Sequence, residues 1–110
     1  AELEIDLSAL EFTELRTLAG ESSGKGPGPE SSILKIKGTE IQQRLQELAL
    51  EAVSHYGAPF LRDLRGSNVS VGPDYADGLA GEMFNGRKTS IYGGSNEIQR
   101  NIIAKAVLGL

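Results

Sequence analysis

Hydrophobic residues recur at helical intervals along this chain, and that spacing limits its fold more than any other feature. From the first turn Leu3, Ile5, Leu7, Leu10, Phe12, Leu15 and Leu18 form an apolar stripe whose spacings are mostly three, four or seven. That is the period of an α-helix face rather than the two-residue alternation of a strand. Glu2, Glu4 and Asp6 come early and Arg16 late, the order that a helix dipole favours. Gly20 is the expected stop. No capping residue precedes the first turn, which leaves two readings open: a chain cut inside a longer helix, or a frayed end.

Residues 21–30, ESSGKGPGPE, read as a loop, because alternating Gly and Pro block regular structure. The Gly-Lys pair within it is not a phosphate-binding P-loop. That pattern needs four residues between its first Gly and the Gly-Lys, followed by Ser or Thr, and the spacing here does not supply them. A second helix is predicted from about Ser31 to Ser54. Ser31 or Ser32 is a candidate cap, and Leu34, Ile41, Leu45, Leu48 and Ala52 hold the helical period. Lys35, Lys37, Glu40, Gln43, Arg44 and Glu47 form a polar face, expected to be solvated. Gly38 interrupts the pattern at a cost of about 1 kcal/mol against Ala, which suggests a close helix contact there.

Residues 55–73 form a connection punctuated by Gly and Pro. Asn68-Val69-Ser70 matches the glycosylation triplet by chance, and His55 beside Tyr56 reads as a capping or packing residue. A third helix is predicted from about Asp74 to Asn85, with Tyr75, Leu79, Met83 and Phe84 as core candidates. A fourth begins near Ser95, with Ile98, Ile102, Ala106 and Val107 on its apolar side. The expected fold class is therefore all-α, a four-helix up-and-down bundle in a single domain over residues 1–110.

Composition removes several function classes. The chain has 11 Lys plus Arg against 15 Asp plus Glu, a net charge of -4, which argues against a nucleic-acid binder. With 0 Cys and 1 His it has no thiol chemistry, no disulfide and no Cys- or His-rich metal site. No apolar run approaches the roughly 20 residues of a membrane span.

The segment from Thr89 to Leu110 carries the chemistry. Gly93 and Gly94 allow backbone to approach a ligand closely, and Ser95 can cap the helix that follows. The unpaired N–H groups at a helix start, together with the Ser95 hydroxyl, can receive an anion or phosphate. An ordinary glycine turn and cap is the alternative reading of the same residues.

The run IYGGSNEIQRNIIA, from Ile91 to Ala104, followed by Val107-Leu108-Gly109-Leu110, resembles the C-terminal signature of the acyl-CoA dehydrogenases. Arg87 precedes it at the family's spacing. Upstream, Gly28 to Lys35 and Gly38 to Arg44 resemble one bacterial branch of that family, so the likeness spans essentially the whole chain. The resemblance implies an FAD-dependent oxidation of an acyl-CoA thioester to its trans-2-enoyl form, with electrons passed to an electron-transfer flavoprotein. It implies that this chain is most of the C-terminal helical bundle of a larger flavoenzyme. The N-terminal helical domain, the middle β-domain and the start of the first bundle helix would lie outside it. Such a fragment would be inactive alone, and would belong to a homo- or hetero-oligomer in a bacterial cytoplasm or mitochondrial matrix.

By the same resemblance, Gly94, Ser95 and Glu97 match positions at the cofactor, and Tyr92 and Gly93 match positions at the acyl chain. Many relatives carry the catalytic Glu where this chain has Gly93, so no catalytic residue is identified. Glu2, Glu4, Asp6, Glu11 and Glu14 are the acidic candidates on the first helix. Residues 51–60, EAVSHYGAPF, keep only Gly57 of a glycine-rich segment that meets the flavin of a neighbouring subunit in relatives. These two departures favour an alternative, a non-catalytic helical assembly module or one subunit of a hetero-oligomeric dehydrogenase.

Overall fold

The computed structural model describes residues 1–24, 26, 28–59 and 72–109. The triplet at residues 68–70, most of the 55–73 connection and the end of the 51–60 segment lie outside the described residues. Four α-helices are present, α1 (Glu2–Ser22), α2 (Glu30–Val53), α3 (Leu79–Gly86) and α4 (Asn96–Leu108), with no strand among the described residues. Single turns of 3₁₀-helix follow α2 (Ser54–Gly57), precede α3 (Asp74–Ala76) and join α3 to the segment before α4 (Arg87–Ser90).

The all-α, four-helix architecture is as expected, and α2 is its spine. The three other helices pack chiefly on α2 and little on one another. α1 runs antiparallel to α2. Leu3 shares a groove with Leu48, Leu10 lies 3.9 Å from where a Cβ of Gly38 would stand, and Thr17 shares a groove with Glu30. The contact suggested by Gly38 is thus with α1. The chain from Gly86 to Gln99 then runs back along α2: Gly86 meets Gln46, Thr89 meets Gln43, Asn96 meets Thr39, and Gln99 meets Ser32.

Several helix ends fall elsewhere than the sequence suggests. α1 passes through Gly20 and stops two residues later, where Ser23 and Gly24 donate to the carbonyls of Gly20 and Glu21 and Gly24 takes φ +84. A left-handed glycine just past the last turn is a more effective stop than one within it. α2 starts at Glu30 after Pro29, with no side-chain cap, so Ser31 and Ser32 lie inside the helix. Gly78, at φ +87, separates the Asp74–Ala76 turn from α3, which shortens the predicted third helix from its N-terminal side.

The buried apolar residues are small in number: Ile36, Ile41 and Val53 on α2, Ala76, and Ala80 on α3. The broken register around Gly78 turns Tyr75 outward, at 75% exposure, and Phe84 lies on the outer side of α3, at 64%, while Ala76 and Ala80 are buried. On α1 only Leu3 and Leu10 of the predicted stripe are half-buried, while Ile5, Leu7, Phe12, Leu15 and Leu18 are exposed. Ile98, Ile102 and Val107 of α4 are exposed as well, because α4 meets α2 through polar residues. The molecule is accordingly long, 57 × 26 × 24 Å, with a radius of gyration of 18.4 Å against about 13 Å for a compact chain of this length. Its accessible surface of 7932 Å² exceeds the about 5,900 Å² of a compact monomer of this mass.

Candidate functional site

The glycine turn before α4 has the backbone shape that its sequence suggests. Gly93 and Gly94 take φ +69 and +86, and Ser95 returns to extended backbone as the N-cap of α4. The Ser95 hydroxyl accepts the N–H of Ile98 at 3.4 Å, so the capping role is observed. The N–H groups of Gly93, Gly94 and Asn96 have no intramolecular acceptor among the described residues. Glu97, exposed in the first turn, has a carboxyl held below the usual range, first by its own backbone N–H and then by the Ser95 hydroxyl.

Tyr92 and Gly93 form one wall of an open cleft of about 300 Å³, and Leu34, Lys35, Gly38 and Thr39 of α2 form the other. The structure therefore brings together the two residues expected at the acyl chain. It sets Gly94, Ser95 and Glu97 immediately beyond them at the head of α4. A Cβ at Gly93 would meet nothing within 4 Å, so the position opens onto free space and contributes no acid–base group. None of Glu2, Glu4, Asp6, Glu11 or Glu14 lines this cleft; all five are exposed on α1.

A polar layer holds α4 against α2. Ser32 Oγ donates to Gln99 Oε1 at 2.7 Å, Lys35 Nζ donates to Asn96 Oδ1 at 2.7 Å, and Asn96 Nδ2 donates to Thr39 Oγ1 at 3.2 Å. Ser32 and Asn96 are buried. Further along, Gln43 Nε2 donates to Thr89 Oγ1 at 3.2 Å, and Arg87 pairs with Glu47. Arg87 and Arg44 hold the Glu47 carboxyl below its ordinary range, Arg87 contributing more. The face of α2 expected to be solvated is thus in large part a docking face. The signal was available in the sequence: Ser32, Lys35 and Thr39 recur at helical spacing, as do Asn96 and Gln99, so each set forms a polar ridge. His55 lies against its neighbour Tyr56 with ring centroids 4.4 Å apart and planes tilted by 39°, both rings exposed and away from the cleft.

FAD, the cofactor that the resemblance implies, presents carbonyl and phosphate oxygens as hydrogen-bond acceptors. The free N–H groups of the turn and the missing Cβ at Gly93 fit such a group, while the Ser95 hydroxyl, whose proton here serves the Glu97 carboxyl, would have to turn to it. Among the described residues no cluster of His, Asp or Glu could hold a metal ion, and no helix is long and apolar enough to cross a membrane.

Helices ranged on a central α2, with a double-glycine turn opening a capped helix beside a cleft, define an all-α helical domain. The family model described as acyl-CoA dehydrogenase, C-terminal domain, matches residues 1–108, and the chain belongs to that family. Comparison with curated proteins and with solved structures returned no match.

Proposed function

We propose that the chain is the C-terminal helical domain of a larger FAD-dependent acyl-CoA dehydrogenase, whose N-terminal helical and middle β-domains lie outside residues 1–110. The whole enzyme converts an acyl-CoA thioester to the trans-2-enoyl-CoA and passes the electrons to an electron-transfer flavoprotein. When bound, FAD supplies the hydride acceptor for this chemistry. Gly94 contributes its N–H to the cofactor, Ser95 turns its hydroxyl proton to the cofactor from the neighbouring Glu97 carboxyl, and Tyr92 and Gly93 border the acyl chain. The observation that carries this reading is the double-glycine turn, with its unpaired N–H groups, beside the cleft that Tyr92 lines.

The exposed apolar residues of α1 and α4 suit burial against other domains or subunits, in a homo- or hetero-oligomer. A chain of this kind works in a reducing compartment, a bacterial cytoplasm or a mitochondrial matrix. Gly93 favours a second reading, a non-catalytic assembly module or one subunit of a hetero-oligomeric dehydrogenase, since glycine cannot take the thioester α-proton.

Substitution Ser95→Ala in the flavin-bearing protein tests the first reading. It is expected to weaken flavin binding several-fold and to cost about 1 kcal/mol of stability through the lost cap. Unchanged flavin affinity removes Ser95 from the cofactor site. Acyl-CoA oxidation by the full protein, followed as flavin bleaching, separates an enzyme from an assembly module.

A further inference from the structure

Gln99 makes contacts that neither the sequence signature nor the proposed chemistry accounts for. Its side-chain amide bridges two elements. Oε1 accepts from the buried Ser32 hydroxyl at 2.7 Å, and Nε2 donates to the carbonyl of Gly93 at 3.4 Å. The same Nε2 lies 2.6 Å from where a Cβ of Gly94 would stand, so the amide covers that side of the turn and would have to shift to admit a side chain there. In a trans peptide the C=O and the following N–H point in opposite directions. Holding the Gly93 carbonyl toward α4 therefore turns the Gly94 N–H outward, where it has no acceptor among the described residues. Two successive glycines would otherwise sample many backbone states.

We infer that Gln99, oriented by Ser32, is a positioning residue that fixes the Gly93-Gly94 peptide with its N–H facing a bound acceptor. The neighbouring Lys35–Asn96–Thr39 cluster anchors the same helix start to α2, so the turn is carried on a rigid seat. The clamp is formed by this chain's own side chains, which lowers the entropy lost when a flavin or phosphate oxygen is received. That ligand assignment rests on the proposed function, and the geometry of the clamp does not.

The test compares the parent protein with Gln99→Met, Ser32→Ala and Ser32→Thr. Backbone ¹⁵N order parameters of Gly93 and Gly94 are measured without flavin, and FAD dissociation constants are measured by fluorescence quenching. In Gln99→Met and Ser32→Ala the order parameters should fall from about 0.85 toward about 0.6. FAD binding should weaken by about three- to tenfold, the worth of one lost hydrogen bond. Ser32→Thr, which keeps the hydroxyl, should restore both. The inference is overturned if the two glycines stay as rigid in Gln99→Met and Ser32→Ala as in the parent while α4 remains folded. A full-length parent, with the other domains present, that takes up no FAD removes the proposed function, and the order parameters still decide the clamp.

Discussion

Gly93 and Gly94 are neighbours of one type, yet a Cβ would meet different surroundings at each. Both hold a left-handed φ, which costs an L-residue roughly 1–2 kcal/mol. Only at Gly94 would a Cβ also run into a neighbour, the Gln99 amide. Gly93→Ala should therefore destabilise the chain by about 1 kcal/mol and Gly94→Ala by about 2–3 kcal/mol, read by urea unfolding. Equal costs would show that φ alone matters and that Gln99 yields freely. At Gly93 the cost of a Cβ is the φ strain alone.

Between elements, charge adds a pH dependence. Glu47 on α2 joins α2 to the turn after α3 through Arg87, and its carboxyl is held below its ordinary range. A carboxyl lowered in the folded state binds fewer protons there than in the unfolded chain. Its contribution is present at neutral pH and lost as pH falls through the lowered folded value. Glu47→Gln should be less stable than the parent near pH 7, with the difference shrinking as pH falls below the ordinary glutamate range, measured as thermal unfolding from neutral pH into acid. A gap that persists in acid would assign the loss to packing.

The elements themselves were largely legible in the sequence, since period and punctuation are local properties. The starts of α2 and α4 fall within a residue or so of the positions that Pro29 and Ser95 suggest. The turn and cap at Gly93, Gly94 and Ser95 were legible for the same reason. Which faces pack was less so. Ser32 read as a cap and Lys35 as solvated, because their partners Gln99 and Asn96 lie more than sixty residues away. Tyr75 read as core because one left-handed glycine, Gly78, shifts the register and periodicity does not register that shift, and Phe84 read as core because its hydrophobicity does not say which face of α3 packs.

Over the whole molecule, large hydrophobic side chains divide into a buried few and an exposed majority. Ile36 is 7% exposed and Phe12 67%, although both belong to amphipathic helices. Ile36→Ala should cost about 2–4 kcal/mol in the chain alone, while Phe12→Ser should stay within about 0.5 kcal/mol, measured by chemical denaturation. A large loss from Phe12→Ser in the isolated chain would mean that α1 is covered there, by self-association for instance, and sedimentation would reveal it. The arrangement around α2 has a further effect. Because α1, α3 and α4 are spokes on one hub, a spoke can detach while its neighbours stay seated. A break in the hub releases all three together. Damage to α1 should then be graded and local. A proline placed in the middle of α2 would unseat the glycine turn and the cleft in a single event, so the chain's tolerance to change is distributed by distance from one helix.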